Sequence, residues 1–247
     1  MTNKQSTRYT SFIDILGFQN SVLNIEDEPE SYEKITTVLT NISIIDELRK
    51  IVRSKESDPN AVKQFEATQD LRVQAFSDCI LISTNDNDLG LVAVTAMSAL
   101  TYRILFSHGF YARGAITKDL LTHNERIVFG KALVRAYALE QKVAIYPRIV
   151  LSQEIYNDLS NKKPAIPKKI DFDGQPFLDV FDSSSIKFIN TWNERQPDSH
   201  FHINLKNGRE QLIRNLQASK DIAIQQKLTW LKNYLNNNAS GLEIEKI

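Results

Sequence analysis

The sequence predicts an α/β or α+β fold with a mixed sheet flanked by helices. Short apolar runs that end at glycine or turn residues alternate with longer segments whose apolar residues recur at helical spacing. The chain has 247 residues, of which 42% are hydrophobic. It can therefore bury the core of one domain, or of one domain with an added subdomain.

The predicted elements follow from periodicity and turn residues. Apolar runs bounded by glycine indicate buried strands, and apolar residues at helical spacing indicate helices packed on a sheet. Ser77 and Asp78 separate two β-rich runs, which predicts a tight hairpin with Asp78 at its tip. In chain order the prediction is a strand over 9–18, a helix over 31–53, an exposed loop or short helix over 54–70, the hairpin over 71–84, a helix over 89–107, a strand over 110–117, a helix over 130–143 and a strand over 148–152.

The C-terminal part changes character after Ser152. A Pro- and Lys-rich link precedes a segment that predicts a β-hairpin turned at Asp173-Gly174. Apolar residues at helical spacing then predict one long helix or two, followed by a frayed tail. We therefore divide the chain into a core over 1–152 and an extension over 153–247 that packs on this core or on a partner chain.

Composition excludes several classes of partner. Lys plus Arg number 30 and Asp plus Glu number 30, so no general basic field attracts a nucleic-acid backbone or an anionic membrane. The single cysteine, Cys79, cannot form an internal disulfide, which suits a reducing cytosol. The favoured interpretation of Cys79 is a small buried residue in a strand. The N-terminus has no apolar signal core, and no stretch approaches the ~18 uninterrupted apolar residues of a membrane span. We expect a soluble cytoplasmic protein without a nucleic-acid or membrane partner.

Asp14 and Asp78 are the residues whose pattern indicates chemistry. Asp14 has apolar neighbours on both sides, and a buried carboxylate without a partner is costly, so an arginine or the following turn is one explanation for it. Turn formation alone explains Asp78. As a pair, however, a strand aspartate and the aspartate at the tip of an adjacent hairpin can bring two carboxylates together. This arrangement suits divalent ions, because Mg²⁺ takes one or two carboxylates together with triphosphate oxygens. Two such ions can activate an attacking oxygen and stabilise a leaving one.

Gly17 follows the strand of Asp14 directly and lets the backbone come close to a ligand. The amides of Gly17, Phe18 and Gln19 would then point at phosphate from a helix N-terminus. The sequence has no G-x-x-x-x-G-K-S/T loop, which excludes an ordinary P-loop NTPase.

Three motifs carry a resemblance to a known family. FIDILGF resembles the first metal strand of the class III adenylate and guanylate cyclases, FSDCILIS resembles their metal-bearing hairpin, and FGKALVRAYALE resembles the stretch after their later core strands. Together with RGAIT and YPRIVLS, these motifs are more similar to the pyrimidine nucleotide cyclases of the bacterial Pycsar anti-phage systems than to purine cyclases. The resemblance covers roughly residues 9–152.

The resemblance implies a fold, a reaction and partners. The fold would be a ferredoxin-like cyclase core with a C-terminal helical extension, in a head-to-tail homodimer with composite active sites. The reaction would convert UTP or CTP to 3',5'-cyclic UMP or cyclic CMP and diphosphate. A separate effector protein would read this messenger during phage infection.

The matched motifs also imply roles for individual residues. Asp14 and Asp78 would hold two Mg²⁺ or Mn²⁺ ions per site. The backbone carbonyl of Ile15 would be a further ligand, and the Gly17-Phe18 turn would hold the phosphates. One ion would lower the pKa of the ribose 3'-hydroxyl, which attacks the α-phosphorus in line, while the second neutralises the diphosphate.

Two departures from the purine cyclases concern the base. Gln74 stands where those enzymes place their adenine-reading lysine, and Ile127 stands at another base-contacting position, so the purine code is absent. Gln74 is therefore a candidate nucleotide-binding residue, although its place in a strand also allows a solvent-facing side chain. Phe18 and Phe76 are candidate contacts to the nucleotide, while core packing is the favoured interpretation of both rings and of Phe12.

Two further departures concern the transition state. Val134 and Ala138 stand where purine cyclases place an Asn and an Arg, and neither side chain can donate a hydrogen bond. A missing donor at a developing phosphoryl charge costs orders of magnitude in rate, so another arginine is needed. Arg113 is the main candidate, with a carboxylate pair as its alternative role. Arg135 is the second, with a solvated surface position as its alternative.

Three functions follow as hypotheses. The favoured one is a pyrimidine nucleotide cyclase, a phosphorus-oxygen lyase, with uridylate preferred over cytidylate as the product. The first alternative is a general class III cyclase for ATP or GTP, against which Gln74 and Ile127 argue. The second is a catalytically inactive nucleotide-binding sensor, which the lost Asn and Arg positions favour and the retained Asp14 and Asp78 oppose.

Overall fold

An open, eight-stranded mixed sheet with helices on both faces organises the computed structural model. The structure describes residues 5–23, 26, 29–43, 70–162, 165–186 and 204–247. The strands are β1 (Ser6–Leu16), β2 (Arg72–Phe76), β3 (Cys79–Asn85), β4 (Tyr111–His123), β5 (Val128–Gly130), β6 (Ile149–Leu151), β7 (Lys168–Ile170) and β8 (Pro176–Leu178). The helices are α1 (Phe18–Leu23), α2 (Pro29–Ser43), α3 (Asp88–Ser107), α4 (Lys131–Val143), α5 (Gln153–Ser160), α6 (Leu205–Ala218) and α7 (Ile222–Leu242).

The strand order is β2-β3-β1-β4-β6-β8-β7, and β5 pairs with β4 outside this path. Strand β1 is antiparallel to both β3 and β4, whereas β6 runs parallel to β4. In the chain, α1 and α2 lie between β1 and β2, and α3 lies between β3 and β4. This order and these crossovers form the β-α-β-β-α-β arrangement of a ferredoxin-like fold, which confirms the predicted fold class.

The side chains of β1 alternate between the two faces, so the sheet is packed on both sides. Ile13 and Ile15 point to the face covered by α3, where the main hydrophobic core lies. Phe12 points to the opposite face and packs with Leu81 of β3 and Ala136 of α4. Helix α4 therefore covers the face of the sheet to which Asp14 also belongs.

Helix α3 runs through the main core. Of the helices in the described ranges, it alone is long and apolar enough to cross a membrane. Most of this helix is buried inside the protein. The Asn87 side chain caps the helix by accepting a hydrogen bond from the Gly90 amide at 2.8 Å. This burial confirms the prediction of a helix packed on the sheet over residues 89–107.

The other predicted elements within the described residues are confirmed with shifted ends. Strand β4 continues to His123 instead of ending at residue 117, because β1 and then β5 pair with it. Strand β5 and helix α5 do not follow from the sequence pattern, since each is short and only tertiary packing distinguishes them from loops. The predicted helix over 31–53 is described to Ser43. Its remainder, and nearly all of the predicted loop over 54–70, lie outside the described residues.

The C-terminal residues 208–236, for which the sequence predicts one long helix or two, belong to two helices, α6 and α7. Asp221 begins α7, and its side chain accepts a hydrogen bond from the Ile224 amide at 3.0 Å. The expectation of a frayed tail is wrong. The Ile247 amide donates to Asn236 Oδ1 at 2.8 Å, and the Ile247 carbonyl accepts from Asn236 Nδ2 at 3.1 Å, because the chain folds back along α7.

The C-terminal part adds strands to the same sheet. Strand β8 pairs with β6 and β7 pairs with β8, so the sheet runs across residue 152. The β7-β8 hairpin turns at Asp173-Gly174 as predicted, with Gly174 at φ +79. Arg148, directly before β6, is buried and forms ion pairs with Asp171 and Asp173. These ion pairs hold the hairpin against the core strands.

A buried polar cluster lies at the end of the sheet opposite to Asp14. Arg8 Nε donates to Ser83 Oγ at 3.0 Å, and Ser83 Oγ lies 2.8 Å from His123 Nδ1. Arg8 also donates to Asp70 Oδ2 at 2.6 Å. Burial, followed by the nearby positive charge of Arg8, lowers the pKa of His123 to about 4.

We expect this cluster to make stability depend on pH. The pKa of His123 is about 4 in the folded protein and 6.5 in an unfolded chain, so the unfolded chain binds more protons between these values. The free energy of unfolding should therefore fall, by on the order of 2–3 kcal/mol, as the pH is lowered through this window. Denaturant unfolding at intervals of pH measures the slope. His123→Asn keeps an acceptor for Ser83 but cannot titrate, and an unchanged slope in this variant would contradict the assignment.

Candidate metal centre

Four polar and aromatic side chains form one row across the sheet near the C-terminal end of β1. Asp14 is the register partner of Arg113 on β4 and of Cys79 on β3, and Cys79 is in turn the partner of Phe76 on β2. Side chains that lie directly opposite each other on neighbouring strands project from the same face. The row therefore places Asp14 between a cation and a thiol.

The β2-β3 hairpin brings Asp78 beside Asp14. Ser77 in the turn adopts φ +55, and the Ile15 amide donates to the Asp78 carbonyl at 2.8 Å, which fixes the tip of the hairpin against β1. One ligand atom from each of Asp14, Asp78 and Cys79 lies within 4.8 Å of the others. Two carboxylate oxygens are suitable ligands for Mg²⁺ or Mn²⁺, and the thiol adds a softer donor, so this donor set fits a divalent ion.

The charges at this centre are only partly balanced by the protein. Burial raises the pKa of Asp14, and the negative charge of Asp78 acts in the same direction, while Arg113 and Lys227 oppose the shift. Burial and then the charges of Asp78 and Asp14 raise the pKa of the Cys79 thiol to about 12. A bound cation would relieve this repulsion, because an opposite charge favours the ionised form of each ligand.

Arg113 contacts two carboxylates. Its Nε lies 3.2 Å from Asp14 Oδ2 and 2.5 Å from Glu140 Oε1. Glu140 comes from α4 and its side chain is fully buried, whereas the side chains of Arg113 and Asp14 are 19% and 18% exposed. The alternative role of Arg113, an ion pair with a carboxylate, is therefore present in the structure. If Arg113 contacts a substrate, it does so from a position between these two carboxylates.

The turn after β1 offers its backbone. Gly17 adopts φ +77, which favours glycine, and α1 begins at Phe18. The Phe18 ring is buried in the main core, as is Phe12 on the opposite face, so core packing is confirmed for both. Only the backbone of the Gly17-Phe18 turn is available to a ligand.

Strand β2 places two of the nucleotide-binding candidates on the same face as Asp14. Phe76 is 80% exposed, so its interpretation as a core residue is wrong: it belongs to the edge strand of the sheet, and no described element packs over it. Gln74 lies opposite Leu81, and its Oε1 is buried without a hydrogen-bond partner among the described residues. This oxygen does not face solvent, and it needs a donor.

Arg135 does not reach the centre within one chain. It donates to Asp119 Oδ2 at 2.9 Å and to the Lys118 carbonyl at 3.0 Å, and its side chain is 48% exposed. Asp119 lies six residues along β4 from Arg113, which is about 20 Å in a strand. The surface position considered for Arg135 matches this placement.

Two charged residues of the centre were not among the sequence candidates. Glu140 follows Ala132 and Ala136 at intervals of four on the buried side of α4. The sequence could have indicated Glu140, because a carboxylate on the same helix face as small buried residues is itself buried and needs a cation. Lys227 on α7 acts on the charge of Asp14 from the C-terminal extension, and no local pattern indicates this.

Comparisons with known proteins give weak likenesses. No protein-family model and no curated protein matches the chain. Among solved structures, a guanylyl cyclase matches with a TM-score of 0.39 and 14% identity, over 72% of this chain and 91% of that one. A class III adenylyl cyclase-like ATP-binding protein from Pseudomonas aeruginosa matches with a TM-score of 0.39 and 12% identity, over 84% of this chain. The match spans 40% of that second protein's length, and neither likeness assigns a function.

Proposed function

We propose that this protein is a nucleotide cyclase that depends on divalent metal ions. The observation that carries the proposal is the convergence of Asp14 and Asp78, whose oxygens approach each other within 4.8 Å on a ferredoxin-like sheet. Two carboxylates at this separation can share divalent ions with a triphosphate. Within this class we propose a pyrimidine nucleotide cyclase that converts UTP, in preference to CTP, to its 3',5'-cyclic monophosphate and diphosphate.

The residues of the centre divide the work of this reaction. Asp14 and Asp78 would hold two Mg²⁺ or Mn²⁺ ions, with the Ile15 carbonyl as a further ligand. Such ions supply Lewis acidity for the attacking 3'-hydroxyl and charge neutralisation for the departing diphosphate. The Gly17-Phe18 backbone would orient the phosphates. Nothing in this scheme needs a nucleophile from the protein, because the attacking oxygen belongs to the substrate.

Positive side chains near the carboxylates would stabilise the phosphoryl charge. Arg113 lies next to Asp14, and Lys227 acts on the same carboxylate from α7. Fixed cations aimed at a developing charge lower the barrier more where water is excluded than in open solvent. Arg113 is thus our candidate for the donor that Val134 and Ala138 cannot supply.

Gln74 can hydrogen-bond a pyrimidine base. Its buried Oε1 lacks a donor among the described residues, and the N3–H of uracil or the 4-amino group of cytosine would supply one. The amide nitrogen of Gln74 could donate to a neighbouring base carbonyl. A lysine at this position, by contrast, would offer donors only. Phe76 is exposed on the same strand and would contact the ring.

Exposed apolar side chains support a homodimer with composite sites. Phe76 is 80% exposed, and Val134 and Tyr137 of α4 are 68% and 51% exposed. All three belong to the side of the sheet that carries Asp14, and a partner chain on this side would close the site. We further propose a cytoplasmic enzyme whose cyclic product is a messenger in anti-phage defence, read by a separate effector protein.

The deciding experiment offers purified protein each of the four ribonucleoside triphosphates with Mn²⁺ and identifies the products by mass. We expect cyclic UMP as the main product, with diphosphate released in equal amount. Cyclic AMP or cyclic GMP alone would overturn the pyrimidine assignment.

A nucleotide-binding sensor without turnover is the second candidate function. The contact of Arg113 with both Asp14 and Glu140 favours it, because a guanidinium held by two carboxylates is less available to a phosphate. Tight binding of a triphosphate without diphosphate release in the same experiment would support the sensor against the enzyme.

A further inference from the structure

We infer that Glu140 is a positioning residue that controls how strongly the Asp14 centre binds a divalent cation, because it draws Arg113 away from Asp14. The inference rests on the metal site of the proposed function, and it concerns a residue of α4 that is not itself a ligand. Its basis is that two carboxylates compete for one guanidinium nitrogen: Arg113 Nε donates a hydrogen bond to Asp14 Oδ2 at 3.2 Å and lies 2.5 Å from Glu140 Oε1 in an ionic contact.

Glu140 has few other ways to balance its charge. Its side chain is fully buried, and Oε1 has no hydrogen-bond partner in the described part of the chain beyond the close ionic contact with Arg113. Among the described residues, Oε2 accepts a hydrogen bond only from the Gln141 amide group, at 2.8 Å. A buried carboxylate in this situation holds its one cation strongly, because losing that cation would leave an uncompensated charge.

Arg113 and a divalent cation compete for Asp14. A guanidinium bound fully to Asp14 would occupy its oxygens and repel an incoming positive ion. Counted without Lys227, whose charge is the same in every variant, the described centre has three carboxylates, Asp14, Asp78 and Glu140, and the guanidinium of Arg113, for a formal net charge of −2. Loss of the Glu140 charge changes this to −1 and leaves Asp14 as the only described carboxylate in contact with Arg113.

A purely structural role for Glu140 predicts something different. In that case Glu140→Gln would weaken the packing of α4 and lower the melting temperature, but the folded protein would bind metal as before. Metal affinity measured on folded protein without nucleotide therefore separates the two roles.

The test measures Mn²⁺ binding by the decrease of the free-ion EPR signal, on the full chain and without nucleotide. We expect Glu140→Gln to weaken Mn²⁺ binding by about tenfold, since it removes a full negative charge near a divalent ion. Arg113→Gln should act in the opposite direction and strengthen Mn²⁺ binding. The double variant, which restores the net charge of −2, should bind close to the wild-type affinity.

Glu125→Gln is the matched control, because Glu125 is exposed in the turn beyond the far end of β4 and loses the same formal charge. Its Mn²⁺ affinity should equal that of the wild type. Equal affinities of Glu140→Gln and Glu125→Gln would overturn the inference, as would a double variant weaker than Glu140→Gln alone. Should Glu140→Gln not fold, Arg113→Gln decides alone, and unchanged or weaker binding by it overturns the inference.

The outcomes also separate this inference from the proposed function. Mn²⁺ binding that responds to Glu140 and Arg113 as expected, without turnover of any triphosphate, would refute the cyclase and keep the inference. Turnover with unaltered Mn²⁺ binding in the Glu140 variant would do the reverse.

Discussion

Asp14→Ala or Asp78→Ala is expected to abolish cyclic nucleotide formation, with a loss of at least about three orders of magnitude. Each substitution removes one of the two carboxylates that can hold the divalent ions, and the remaining oxygens cannot hold both ions against a triphosphate. Product formation from UTP with saturating Mn²⁺ measures the effect. Asp88→Ala is the control, because Asp88 is an exposed carboxylate at the start of α3, and it should keep wild-type turnover.

The fold is expected to survive these substitutions. Burial raises the pKa of Asp14, which means that the folded protein disfavours its ionised form. Removing this charge costs little stability, and Arg113 keeps Glu140 as its partner. Circular dichroism and thermal unfolding should therefore resemble those of the wild type. Wild-type turnover in either variant would be incompatible with the metal centre.

Arg148→Met is expected to lower the free energy of unfolding by about 3–5 kcal/mol. The Arg148 side chain is fully buried, forms ion pairs with Asp171 and Asp173, and packs 5.9 Å from the ring centre of Trp230. Its loss would leave Asp171, which is largely buried, without its cation, although Trp230 Nε1 still donates to Asp171 Oδ2 at 2.8 Å. Denaturant unfolding followed by tryptophan fluorescence and circular dichroism measures the change.

Arg214→Met is the control for this variant. The Arg214 side chain is 69% exposed and its ion pair with Glu210 spans 3.7 Å, so we expect a change within about 0.5 kcal/mol. Because Arg148 joins β6 to the β7-β8 hairpin and to α7, both optical probes should report one transition. A change in the Arg148 variant as small as in the control would show that the ion pairs contribute little.

Local sequence patterns determined most of the elements of this fold. The apolar run around Asp14, the two-residue turn at Ser77 and Asp78, and the helical spacing over 130–143 each predict an element that the structure contains. These predictions succeed because burial on one face or both imposes a period that a short window of sequence displays. The short β5 and α5, and the tail bound to Asn236, have no such period, and contacts from distant residues define them.

The sequence by itself also determined where the candidate metal ligands lie, since a carboxylate inside an apolar strand and another at a hairpin tip can be read from their neighbours. Only the tertiary structure decided what surrounds them. Arg113, Glu140 and Lys227 are far from Asp14 in the chain, and their approach depends on strand register and on how α4 and α7 pack. Charge interactions depend on distances through space and on burial, and neither is a property of any short segment.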